Sequence, residues 1–300
     1  MKQLSLEQYL RQKYRISTVT LYMRYLKDYL TQATAPTASY SDVVNYIGRL
    51  RERQYKPATL KSILGAIKQY YHYLLYIGQR NDHPCLYLVL KDKISKHIQL
   101  QDLFTREELE ALLQRKERYK ITELRNQALL GLLIYQGLLP QEITNLKLKD
   151  VHLEKGTLYV GSTASALSRT IGLHSHQIML LHQYITVIHP WLSARNKKQT
   201  ATHQKLPPAE HPLILTWQGT AAKGDGIQYL VSTYKHLFPG RKLCPLTIRQ
   251  SVIANLLKEG KNTRVVQVYM GHKSADSTER YKQKHTAELQ HQIHKYHPLK

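Results

Sequence analysis

Cysteine is scarce in this sequence: Cys85 and Cys244 are the whole complement in 300 residues. They lie far apart, with no CxxC and no Cys/His ligand spacing, which argues against a disulfide framework and against a zinc site. A reducing cytoplasm is the compartment such a chain suits. Acidic residues are also in short supply, 21 Asp and Glu against 44 Lys and Arg, for a net charge of +23. Long apolar runs are missing, so no membrane-spanning segment is expected. The opening residues Met1 to Ser5 turn polar at once and lack the apolar core of a signal peptide. What is left is a basic chain long enough for one large or two ordinary domains with real hydrophobic cores. Its charge says little about fold but favours a polyanionic partner, and nucleic acid fits better than a membrane. Sixteen histidines are many, yet His72, His152, His174, His176 and His182 show no partner pattern and read as surface or structural positions.

The first hundred residues predict an all-helical module. A short helix runs from Ser5 to Tyr14, and from Ser17 the residues Val19, Tyr22, Met23, Leu26, Tyr29 and Leu30 recur at helical spacing. Thr34 to Thr37 break it. A third helix is expected from about Ser41, with Val43, Val44, Ile47 and Leu50 on one side, and a fourth from Pro57, a residue suited to a helix start. The fourth carries Lys61, Lys68, Tyr70, Tyr71, Tyr73 and Tyr76; the tyrosine stripe reads as core, with lysines able to reach phosphates.

Further on, Thr105 to Glu108 form a capping box ahead of Leu109, Leu112 and Leu113. An apolar helix follows over Ala128 to Tyr135, ending at Gly137. Val151 to Leu153, Thr157 to Val160 and Arg169 to Leu173 read as three short strands. Another amphipathic helix is expected over Ile178 to Ile188, then an exposed basic loop from Ser193 to His211 with Arg195, Lys197, Lys198 and Lys205. A helix from Gly224 to about Phe238 leads into a proline-led apolar helix with Arg249 in its first turn. Val265 to Met270 suit a short helix stopped by Gly271. His272 then sits at the helix end. Ser274, Asp276 and Ser277 offer caps for a following helix carrying Tyr281, so imidazole and phenol can converge on one site.

The run from Val265 to Tyr281 resembles the L-G-H…T-x-x-Y signature of the tyrosine recombinase (phage-type integrase) family. The run from Lys242 to Leu257 resembles that family's H-x-L-R-H box at the expected distance upstream, and Gly137 to Leu146 resembles its G-L-R-x-x-E-L box. The resemblance implies a mainly α fold with a small antiparallel β-sheet. It divides the chain into a SAM-like helical core-binding domain over residues 1–84, a linker over 85–103 and a catalytic domain over 104–300. Asn81 to Pro84 match the close of the first domain, and the linker is what lets the family's two domains close around duplex DNA. Tyr281 becomes the nucleophile, with Arg249 and His272 stabilising the phosphorane. The terminal residues Leu289, Ile293 and Tyr296 resemble a helix that docks on a neighbouring protomer, with packing on its own domain as the alternative.

Three family positions are not matched. The first catalytic arginine falls on Leu139, the box histidine on Leu246, and the lysine of the second hairpin turn has no counterpart in residues 161–168. Glu142 does match its box and reads as a local structural carboxylate. Arg169 is the nearest candidate to restore a positive charge in the hairpin, with a contact to the DNA backbone as its expected role. Cutting a phosphodiester with a phenol needs a nucleophile, cationic donors for the non-bridging oxygens and an acid for the leaving oxygen. Guanidinium binds phosphate in a two-pronged way, so neither metal nor small-molecule cofactor is called for. The expected function is site-specific DNA breakage and rejoining through a 3′-phosphotyrosyl intermediate, by a homo-oligomer, a tetramer on paired duplex sites, in the cytoplasm at the nucleoid. The alternative is a catalytically weakened DNA-binding accessory protein. A basic RNA-binding helical protein is a third reading, for which no aromatic RNP-like strand motif is found.

Overall fold

A computed structural model describes residues 4–31, 35–92, 102–196 and 207–281. The chain forms two compact units, Met1–His97 and Ile98–Lys300, and the fold is mainly α-helical with a small antiparallel sheet.

In the first unit, α1 (Leu6–Lys13) starts at a complete capping box made by Ser5 and Gln8. After it come α2 (Ile16–Leu30), a 3-10 turn at Ala35–Thr37, α3 (Tyr40–Glu52) and α4 (Pro57–Tyr76). Val43, Tyr46, Ile47 and Leu50 of α3 are buried, the i, i+3, i+4, i+7 set that makes one apolar face. On α4 the buried residues run from Leu60 through Ile67 to Leu74 and include Tyr70 and Tyr71. The tyrosine stripe is thus largely core, although Tyr76 is exposed. The Tyr71 hydroxyl donates to Ala35 O at 2.8 Å, which satisfies a polar group in the interior. Cys85 and Leu90 join the same core, and Arg51 pairs with Asp92 at 2.8 Å, so the segment after Pro84 packs on these helices as far as residue 92.

The second unit opens with α5 (Arg106–Ala111), whose Thr105 and Glu108 make the capping box read from the sequence. Next is α6 (Lys120–Ile134), buried almost all round from Leu124 to Ile134, which makes it the central helix of this unit. α7 (Pro140–Asn145) leads to β1 (Val151–His152), β2 (Thr157–Val160) and β3 (Arg169–Gly172). Among the described residues the sheet is antiparallel in the order β1-β2-β3, with Leu158 opposite both Val151 and Ile171, and Val160 opposite Arg169. Leu158, Val160, Arg169 and Ile171 are all buried; strand side chains alternate with period two, so Arg169 shares the inner face with Ile171.

α8 (Ser175–Gln183) runs through a π-helical turn (Tyr184–Ile188) into α9 (His189–Ala194). The helix after Gly224 is shorter than expected: α10 (Gly224–Ser232) gives way to a 3-10 turn at Lys235–Leu237. The last elements are α11 (Pro245–Lys258), α12 (Thr263–Met270) and α13 (Asp276–Glu279). Two sequence expectations fail here. The N-cap of α13 is Ala275, with no side-chain cap from Ser274, Asp276 or Ser277, and the helix ends at Glu279, so Tyr281 lies just beyond it. Lys197, Lys198 and Lys205 of the basic loop and the tail residues Leu289, Ile293 and Tyr296 fall outside the described residues. Among those described, no helix is long and apolar enough to cross a membrane.

Candidate active site

Gly271 organises the site. It closes α12 at φ +67, a left-handed conformation that costs glycine nothing. Its N–H donates to Val268 O at 2.9 Å and that of His272 to Gln267 O at 3.0 Å, the paired bonds of a Schellman ending. The helix therefore stops where the chain must turn to present His272. A Cβ at this position would stand 2.6 Å from Arg169 Nη1 and 2.8 Å from Leu167 O, so the turn and the hairpin are packed with no room for a side chain.

Arg249, on α11, lies beneath this turn. Its Nη1 donates to Gly137 O at 2.7 Å and its Nη2 to Met270 O at 2.6 Å. Both acceptors belong to helix ends, the turn after α6 and the last residue of α12, where carbonyls lack intrahelical partners. One guanidinium thus ties two helix termini together. Arg169 Nε does the same for Tyr269 O at 2.6 Å. Between the arginines sits Glu142: Oε1 accepts from Arg169 Nη1 at 2.6 Å, and Oε2 lies 3.5 Å from Arg249 Nη1. The side chains of Glu142, Arg169 and Arg249 are only 0, 3 and 5% exposed. Two guanidiniums around one carboxylate leave a net charge of +1 below the turn.

Glu142 has a local task as well, accepting from the Leu139 N–H at 2.7 Å at the start of α7. The expected local structural role holds, and the carboxylate also holds both arginines. The expected contact of Arg169 with a DNA backbone is corrected: its side chain is buried on the inner face of the sheet, with Nη2 unpaired among the described residues.

His272 Nδ1 is 2.8 Å from Thr278 Oγ1, and Thr278 is fully buried. Burial first, then the charges of Arg249, Arg169 and Arg280, push the imidazole down to about 4, so at neutral pH it is uncharged. Tyr281 is 8% exposed. Burial pushes its phenol up, while a hydrogen bond with Gln250 and the nearby Arg280 and Arg249 oppose the rise. The structure accordingly gathers Arg249, His272 and Tyr281 around the Gly271 turn. Gln250 and Thr278, which touch the phenol and the imidazole, were not singled out from the sequence; the T-x-x-Y spacing was the signal for Thr278. Leu139 is half-buried at the start of α7, and Leu246 is 55% exposed on α11.

The hairpin loop between β2 and β3 folds onto the same turn. Leu167 N donates to Gly271 O at 2.9 Å, Ala166 bridges His272, and Lys273 Nζ donates to Ala164 O at 2.9 Å. Among the described residues, no group of three or more His, Cys, Asp or Glu is placed to hold a metal ion.

Comparison with known proteins follows the same division. The profile described as Phage integrase, N-terminal SAM-like domain matches residues 5–77, and that described as Phage integrase family matches residues 102–288. The tyrosine recombinase XerD of Oceanobacillus iheyensis is 26% identical over 280 residues, covering 93% of this chain and 89% of that protein. The tyrosine recombinase XerA of Pyrococcus furiosus is 26% identical over 271 residues, covering 88% and 82%. A lambda integrase dimer bound to a COC′ core site is similar at a TM-score of 0.66 and 14% identity, with 93% of each chain covered. XerH recombinase in a post-cleavage complex with a palindromic difH substrate gives 0.65 at 21% identity, covering 93% of this chain and 80% of that one. These two likenesses are of fold, whereas the second profile spans well over half of the sequence and includes the whole Gly271 turn. The chain belongs to the phage integrase family, the tyrosine recombinases.

Proposed function

We propose that this chain is a site-specific DNA recombinase that breaks and rejoins duplex DNA through a 3′-phosphotyrosyl intermediate, acting as a homo-oligomer on paired sites. Tyr281 Oη attacks phosphorus. Arg249 donates N–H groups to the non-bridging oxygens, and His272, neutral at physiological pH, donates one more through Nε2–H while Thr278 holds Nδ1. The observation that carries this reading is the convergence of Tyr281, Arg249 and His272 on one turn above a buried net charge of +1. Fixed donors of this kind stabilise charge as it develops and need no rearrangement at the moment of reaction. The excess of 44 Lys and Arg over 21 Asp and Glu supplies the phosphate attraction that positions DNA.

A second reading, a DNA-binding accessory protein without strand transfer, is favoured by Leu139, which offers neither charge nor hydrogen bond where the family has an arginine. One experiment separates the two. A duplex selected from a randomised pool for tight binding to the full chain is nicked beside the cleavage point, so that the 5′ end diffuses away and religation is blocked. Strand transfer accumulates a covalent protein–DNA adduct, absent in Tyr281→Phe and slowed about 10²-fold or more in Arg249→Ala. Specific binding with no adduct from the wild-type chain selects the accessory reading.

A further inference from the structure

Expelling a 5′ alkoxide from phosphorus requires a proton donor at that oxygen, and the groups described so far do not provide one. Arg249, Arg169 and Arg280 keep their protons at any relevant pH. His272 is uncharged, its Nδ1 engaged with Thr278. The hairpin loop over residues 161–168 contains only Gly, Ser, Thr, Ala and Leu. That loop is nevertheless docked against the site, through Leu167 N on Gly271 O at 2.9 Å and the Ala166 bridge to His272. Lys273, the residue after His272, extends an exposed side chain along it and places its ammonium 2.9 Å from Ala164 O.

We propose that Lys273 is the general acid of strand cleavage. The assignment rests on the strand-transfer reading above. An ammonium has three N–H groups and Ala164 O takes one; its four-carbon stem is flexible, and unlike a guanidinium it can give up a proton. Ala164 O serves as a rest that keeps the head group at the rim of the site between turnovers. In the cleavage step Tyr281 Oη forms the new bond to phosphorus and the bond from phosphorus to O5′ breaks, its electron pair passing to O5′. A proton from Lys273 Nζ goes to that oxygen, and the phenol proton is released to water. In rejoining, the neutral amine of Lys273 takes the proton back from the attacking 5′ hydroxyl.

The test uses the full chain and two nicked duplexes of the selected sequence, one ordinary and one with sulfur in place of the bridging 5′ oxygen. A thiolate leaves without protonation, since thiols ionise near pH 8.5. On ordinary DNA, Lys273→Ala and Lys273→Arg slow adduct formation by about 10²–10⁴, the usual worth of a positioned acid. On the sulfur-bridged duplex both variants match the wild type. The exposed position of Lys273 leaves thermal unfolding unchanged, which is checked in parallel. Equal loss on both duplexes, or no loss on the ordinary one, overturns the assignment. A wild-type chain that cleaves only the sulfur-bridged duplex also overturns it, while leaving Tyr281 as nucleophile; failure on both duplexes removes the strand-transfer reading itself.

Discussion

Replacing Glu142 with Gln keeps its shape and removes the only negative charge described between two buried guanidiniums. In the native site Oε1 accepts from Arg169 Nη1 at 2.6 Å, and Oε2 accepts from Leu139 N at 2.7 Å while facing Arg249 Nη1 at 3.5 Å. A glutamine amide has one oxygen, so at least one of these donors meets an NH2 group instead. The buried charge also rises from +1 to +2. Removing one partner of a buried pair costs about 3–5 kcal/mol, because the remaining charge has left water without compensation. At a urea slope of roughly 2.5–3 kcal/mol per M, the midpoint falls by about 1–2 M. Trp191 and Trp217 are the two tryptophans of the sequence, and both lie in the unit Ile98–Lys300, so tryptophan fluorescence during urea unfolding of the full chain reports on this unit. Glu210→Gln is the control: it pairs with Lys147 and Lys149 at the surface, where solvent screens the interaction, and its midpoint stays in place. A Glu142→Gln midpoint within about 0.3 M of wild type would refute the argument that the carboxylate holds both arginines.

Gly271→Ala is expected to lose about 1–2 kcal/mol from the left-handed backbone alone, with more from the contacts at 2.6 and 2.8 Å; an unchanged urea midpoint contradicts this. His272 ionises at about 4 in the fold against about 6.5 when exposed, so the folded state binds fewer protons. Its contribution is complete above pH 6.5 and drains away as pH falls toward 4; the wild type should lose more stability across that window than His272→Gln, and equal losses contradict the shift. Binding of the full chain to duplex DNA should weaken steeply with salt, with a log–log slope of about −0.9 per phosphate contact. Affinity unchanged between low and moderate salt contradicts the electrostatic account.

Local signals read well from the sequence where the physics is local. The capping box at Thr105, the proline that opens α4 and the glycine that closes α12 each act within a few residues, and each lies where the sequence puts it; Ser5 marks the start of α1 as expected, and its box with Gln8 is seen in the structure. Most of the buried face of α3 follows from helical period for the same reason: Val43, Ile47 and Leu50 are buried as expected, while Tyr46 is buried in place of Val44, which is only partly so. Arg169 shows where this ends. Its alternation with Ile171 places it on the inner face of β3, but its partners Glu142, Tyr269 and Leu167 are 27, 100 and 2 residues away. A charge on an inner face is intelligible only once those partners are known. Ser274, Asp276 and Ser277 likewise looked like caps in the sequence, yet α13 has Ala275 at its N-cap without a side-chain cap and closes at Glu279, while Thr278 is held to His272 Nδ1 at 2.8 Å, a contact six residues back that no local pattern displays. Resemblance carried the choice of Tyr281 among 22 tyrosines, since spacing alone offers several phenols beside basic residues.

Whether Tyr281 is the nucleophile is read by digesting the covalent adduct formed on the nicked duplex with protease and nuclease and locating the nucleotide by tandem mass spectrometry. The expected product is a 3′-phosphonucleotide on Tyr281, with no adduct from Tyr281→Phe at equal DNA occupancy. A nucleotide on another residue, such as Tyr269, or an adduct that survives Tyr281→Phe, would contradict that role.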